Sequence, residues 1–143
     1  MRFTMAMKTC LQKTISDESP TIQPFGKNRN EVYSMDSILT SIKKLLGITE
    51  NCDSFDGDLI LHINTVLATL AQLGVGNGFV ITGKTETWED FLGNDSRLNL
   101  VKSYVHLRVK ALFDPPLSSA VAEAIDRNAK ELEWRILVVT DTV

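Results

Sequence analysis

Two adjacent prolines, Pro115 and Pro116, stand between two stretches of helical periodicity in the run ALFDPPLSSAVAEAI (111–125). Each proline disfavours helical geometry in the residue before it, so Asp114 and Pro115 are both pushed out of the α region. No helix continues through this point. The chain must bend, and the bend is stiff because proline has little backbone freedom to lose. Ser118 or Ser119 can cap the helix that follows. Asp114, Pro115 and Pro116 are therefore a candidate structural corner that sets the angle between two helices.

The helix before the corner is predicted from about Asp95 to Phe113. Leu98, Leu100, Val101, Tyr104, Val105, Leu107, Val109, Leu112 and Phe113 cover most of its circumference, which places it at the centre of the domain. Lys102, His106 and Lys110 form its one clean polar stripe, at i, i+4 and i+8. It is a candidate basic strip facing nucleic acid, although a solvated helix edge is the commoner use of such a pattern. The helix after the corner is predicted over about 118–137. Val121, Ile125, Leu132 and Ile136 share one face, and Glu123/Arg127, Asp126/Lys130 and Glu131/Arg135 are i, i+4 pairs on the other. Each such pair contributes about 0.2–0.5 kcal/mol. Trp134 falls on the charged side at about 100° per residue. A tryptophan there is a candidate anchor for a partner surface; the plainer reading is packing against an N-terminal arm or a loop.

Upstream, Ile38, Leu39, Ile42, Leu45 and Leu46 make a helical stripe stopped by Gly47. Leu59, Ile60, Ile63, Val66, Leu67 and Leu70 make a second, ending at Gly74. GFVITGK (78–84) is a short β-like run whose Phe79, Val80 and Ile81 are candidate subunit or partner contacts, by strand addition among other modes. TWEDFLG (87–93) reads as a short helix with Thr87 as N-cap, Asp90 three residues later and Gly93 as stop. The fold class expected is mainly all-α: a small bundle of four to five helices with a β-like loop segment near 78–84.

Residues 1–34 show no sustained period and contain Pro20, Pro24 and Gly26. They are expected to be a weakly ordered extension, read either as an arm that orders on a partner or as sequence upstream of a true start at Met35. Residues 35–143 then form the helical domain. The 143 residues suit one modest core. The net charge of −3 is uneven, with +2 over residues 1–34 and −5 over the rest. A net acidic body argues against tight sequence-independent DNA binding. No apolar run approaches the roughly 20 residues of a membrane span, and no signal-peptide h-region is evident. A soluble chain made in the cytoplasm is the expectation, with Cys10 and Cys52 as free thiols.

Residues that could carry chemistry do not assemble into a set. GVGNGF (74–79) contains a GxGxG string, but it follows a helix and opens none, so the phosphate-cradle context is missing. Asp58 and His62 lie one helical turn apart, yet two ligands do not make a metal site. Asp53, Asp56 and Asp58 lack the EF-hand order. Ser118 and Ser119 lack the context of a nucleophile elbow. No acid, base and nucleophile can be assigned together, so an enzyme, a metal and a cofactor are not expected.

Taken in order, MDSILTSIKKLLGI (35–48), DLILHINTVLATLAQLGVG (58–76), TWEDFLG (87–93), VKSYVHLRVKALFDPP (101–116) and SSAVAEAIDRNAKELEWRI (118–136) resemble the small helical head–tail connector, or adaptor, proteins of tailed bacteriophages and prophages of Gram-positive hosts. The likeness covers most of residues 35–138, and its most specific parts are the FDPP corner and the ELEWR ending. It implies a structural virion protein at the neck, made in the host cytoplasm. Such a protein docks beneath the portal, assembles with itself as a ring (typically twelvefold) and meets a tail-completion or stopper protein. DNA passes through without sequence-specific binding, and nothing is catalysed. The competing reading is a DNA-binding helical phage protein of terminase or regulatory type, which needs a basic recognition helix. The Lys102–His106–Lys110 stripe is the candidate for that helix.

Overall fold

The structure is a computed structural model and describes residues 37–95 and 97–141. The expected extension over residues 1–34 lies outside the described residues. Among those residues there are five α-helices: α1 Ile38–Leu45, α2 Asp56–Gln72, α3 Trp88–Leu92, α4 Leu98–Phe113 and α5 Ser119–Asp141. A single 3-10 turn, Asp53–Phe55, leads into α2. The mainly all-α expectation holds.

Helix α4 is the centre, as its all-round apolar surface requires. It packs against α2 on one side and α5 on the other. Val101, Tyr104, Val105 and Val109 are buried, along with Leu59, Ile63, Val66, Leu67 and Leu70 of α2. The last helix contributes less, with Ala129 and Ile136 buried. Helix α1 closes one end with Ile38, Leu39 and Ile42. Trp88 of α3 is buried beside it, and its indole N–H donates to Ser41 Oγ at 2.8 Å. Ser41 Oγ in turn donates to the Ile38 carbonyl at 2.9 Å.

Local signals set the ends of these helices. In α3 the Asp90 N–H donates to Thr87 Oγ1 at 3.1 Å and the Thr87 N–H to Asp90 Oδ2 at 2.9 Å, a complete capping box. Gly93 leaves the helix with φ of 59°. Helix α4 starts at Leu98 rather than near Asp95, because Asp95 folds back on Arg97, accepting from its N–H at 2.8 Å and from Nη2 at 2.6 Å. Its last residue is Phe113; Asp114 is already non-helical, with φ −135° and ψ 74°. Helix α5 begins at Ser119 and runs to Asp141, past the expected end near 137.

The β-like run at 78–84 forms no strand among the described residues. Its backbone partner is a side chain. Asn64 of α2 donates from Nδ2 to the Ile81 carbonyl at 2.9 Å and accepts from the Ile81 N–H at 2.8 Å, the pairing a neighbouring strand would otherwise supply. The following bend is held by Glu86. Its carboxylate accepts from the Thr82 hydroxyl at 2.6 Å, the Thr82 N–H at 3.0 Å and the Gly83 N–H at 3.2 Å. These bonds, the Thr82 hydroxyl foremost, lower the Glu86 pKa from 4.5 to about 2 against a smaller opposing effect of desolvation. The folded value lies below the unfolded one. The carboxylate's contribution to the bend is therefore complete above about pH 4.5 and is lost as pH falls through about 2. The expected result is that the Glu86 carboxyl carbon shift stays at its ionised value as pH is lowered from about 6 to about 3. A midpoint at the ordinary value of 4.5 contradicts the arrangement.

Cys52 does not meet the free-thiol expectation. It is disulfide-bonded; the expectation for Cys10 lies outside the described residues.

Candidate functional site

The candidate residues separate into three regions once the chain is folded. The corner is the tip of a helical hairpin made by α4 and α5. Its two arms are fastened by charge-assisted hydrogen bonds. Arg108 Nη2 donates to Glu133 Oε1 at 2.7 Å, and Nη1 to Asp126 at 3.4 Å. The Tyr104 hydroxyl donates to the same Glu133 oxygen at 2.7 Å, and the Arg108 guanidinium lies 5.6 Å from the Tyr104 ring centroid. Burial works against the Glu133 charge, and the hydrogen bonds from Arg108 and Tyr104 outweigh it, so its pKa is lowered. One arginine thus ties two carboxylates two helical turns apart and fixes the register of α5 on α4. Sequence reading missed this network, because Asp126 appeared only as the partner of Lys130. That pair does exist, at 2.7 Å.

Beyond the network the hairpin leaves the body. Leu117 is 91% exposed and Val121 49%, and Ala120, Ala122 and Ala124 are exposed as well. Val121, expected on the inward face, is therefore a surface residue: the first turns of α5 pass beyond the end of the body. Phe113 anchors the base of the tip, meeting Phe55 edge to face at 5.7 Å between centroids.

The second region is the outward face of α5. Trp134 is 63% exposed, and Leu137 stands partly exposed one turn on. Around them are Glu131 and Arg135, which form an ion pair. The third region is the 78–84 segment. Val80 is exposed, Phe79 is half-buried against Phe91 with centroids 5.2 Å apart, and Ile81 is buried in the chain's own core. Ile81 therefore offers no surface to a partner.

The basic stripe of α4 is divided by the fold. The Lys102 ammonium lies 5.6 Å from the Trp88 ring centroid. His106 is half-buried beside the Leu45 backbone at the end of α1, and its Nε2 is buried without a hydrogen-bond partner. Desolvation first, and then the nearby Lys110 charge, lower its pKa, with the Leu45 backbone opposing. Lys110 is exposed. Two of the three positions thus face the chain's own α1 and α3. They do not form an open strip of three cations.

Asp58 is exposed and His62 half-buried, and among the described residues no group of three His, Cys, Asp or Glu side chains could hold a metal ion. No described helix is long and apolar enough to cross a membrane. The GVGNGF string has a steric explanation. Gly76 has φ of 72°, and a Cβ built there would lie 1.9 Å from Phe91 Cε2. The glycine lets the loop pass over a buried aromatic ring.

A family model described as phage connector protein matches residues 38–143. No curated protein and no solved structure matches the chain.

Proposed function

Because the chain belongs to the phage connector protein family, we propose that it is a structural component of the virion neck which docks beneath the portal as a closed ring of identical copies and continues the DNA channel toward the tail proteins. The observation that carries this reading is the pairing of the family match with a stiff, register-locked hairpin. A ring closes only if every copy repeats the same contact at the same angle. The proline corner and the Arg108 network both hold that angle. The acidic balance of residues 35–143 suits a passage that DNA must traverse without sticking.

Trp134 and Leu137 on α5, together with Val80, are the surfaces assigned to neighbouring virion proteins, the portal first. Exposed tryptophan set among charges is the composition of an interface hot spot. Trp134→Ala is expected to leave the chain folded, since the side chain is 63% exposed. It should weaken binding to portal by about 2 kcal/mol, roughly 30-fold. Titration of the labelled chain with purified portal measures this directly. Unchanged affinity removes Trp134 from the interface.

The function itself is tested by electron microscopy of the full chain mixed with portal rings. Added annular density beneath the portal is the expected result. Portal rings that remain bare at micromolar concentrations of the chain overturn the reading.

A further inference from the structure

The hairpin tip carries an apolar projection, and the same chain carries a recess of matching character between α2 and α4. From Pro115 to Ala122 no side chain is charged, and Leu117 and Val121 are its large exposed members. The recess is a groove of about 260 Å³ between α2 and α4, lined by Thr65, Val66 and Thr69 on one side and Tyr104, Arg108, Ala111 and Leu112 on the other. Its one charge, Arg108, is already committed to Glu133 and Asp126. Leu61, one turn before Thr65 on α2, extends the uncharged surface and is exposed. A benzene-sized ligand fills a cavity of roughly 150 Å³, so this groove has room for a leucine side chain with part of a valine.

Their placement decides what fits. Around α5, Ala129 and Ile136 mark the direction of burial. Asp126 and Glu133 lie on the flank that meets Arg108, which is the groove side. Val121 lies about 140° from Asp126 at 100° per residue, on the other flank. Val121 on one flank and a recess on the other cannot satisfy each other within one chain. They can do so between successive copies, and such a contact is heterologous, the kind that propagates around a ring.

We propose that Leu117 and Val121 of one copy seat in the α2–α4 groove of the next, against Thr65, Thr69 and Leu112, and that this is the repeating contact between copies. The inference rests on the ring reading above and names the surfaces that make the ring.

The test uses the full chain under conditions where it self-associates, with portal present if portal is required. A chain carrying both Leu117→Cys and Thr69→Cys is treated with a short bis-maleimide, beside each single variant, an equal mixture of the two singles, and the unsubstituted chain. The expected result is a ladder extending beyond dimer for the double variant and a dimer for the mixture. Each single variant alone should match the unsubstituted chain. Separately, Leu117→Asp is expected to leave the helical circular dichroism and melting temperature unchanged and to weaken self-association at least tenfold by sedimentation. A ladder that stops at dimer, efficient cross-linking of Leu117→Cys to itself, or cross-linking of the tip to portal instead of Thr69→Cys overturns the proposal. So does a Leu117→Asp chain that assembles normally. If rings are seen on portal and these results fail, the contact is wrong and the connector reading stands. If the ladder forms but portal stays bare, the contact stands and the docking reading falls.

Discussion

Lys43→Met is expected to lower the unfolding free energy by about 3 kcal/mol, the low end of the loss seen when one member of a buried ion pair is removed. Lys43 is 0% exposed, although it lies in a helix otherwise lined by isoleucine and leucine. Its ammonium donates to Asp56 Oδ1 at 2.7 Å and to the Glu50 carbonyl at 3.0 Å, with Asp53 at 3.8 Å. Those partners tie α1 to the turn that starts α2. Methionine preserves the length and apolar stem but supplies no donor. Asp56, 18% exposed, is then left with Lys84 at 3.7 Å as its remaining cation. Urea unfolding of both chains measures the difference, and for a domain near this size the melting temperature should fall by roughly 10 °C or more. Adding Asp56→Leu to Lys43→Met should recover part of the loss, since the cost lies in the stranded carboxylate. A single variant within about 1 kcal/mol of the parent would mean that the buried ammonium contributes nothing net.

Gly76→Ala is expected to cost about 3 kcal/mol or more. Two effects add. A left-handed backbone costs a non-glycine residue about 1–2 kcal/mol. In addition the new Cβ would overlap the Phe91 ring, with Cε2 at 1.9 Å and Cζ at 2.6 Å. Phe91 is buried and packs at a tilt against the Phe79 ring, and overpacking of this kind typically costs about 1–3 kcal/mol. Gly78 provides the internal control. Its φ of 74° is nearly the same, but nothing lies within 4 Å of a Cβ there. Gly78→Ala should therefore show the backbone cost alone, about 1–2 kcal/mol. Equal losses at both positions would show that the overlap relaxes freely. Gly76→Ala combined with Phe91→Leu should be less damaged than Gly76→Ala would suggest from additivity, because the two sites are in contact.

The features that could be read from the sequence are those whose cause is local. The end of α4 follows from Pro115 acting on Asp114. The boundaries of α3 follow from Thr87, Asp90 and Gly93, all within seven residues. The central position of α4 follows from apolar residues on every side of it. Trp134 was placed outward by helical geometry alone, and its side chain is exposed. The misplaced features depend on partners distant in sequence. Nothing around Lys43 distinguishes it from Lys44, and its burial is decided by Glu50 and Asp56, seven and thirteen residues away. The run at 78–84 has strand composition, but Asn64, seventeen residues earlier, meets its backbone need. Lys102 and His106 form a polar stripe on a wheel, and only the packing of α1 and α3 onto α4 reveals that they face the chain's own surface. For the candidate contacts, periodicity identified Trp134 but not the tip. Val121 continues the inward stripe of α5, and its exposure arises because the helix begins before the body does.

The grip of Arg108 on Asp126 and Glu133 also has a mechanical meaning. Helices packed through apolar side chains alone can creep lengthwise past one another in small steps. Here any sliding of α5 along α4 lengthens one of the two bonds, and the next register is a full turn away, about 5.4 Å. Under axial load such a strut would transmit force end to end instead of yielding by shear, and its compliance would be confined to the joints at either end.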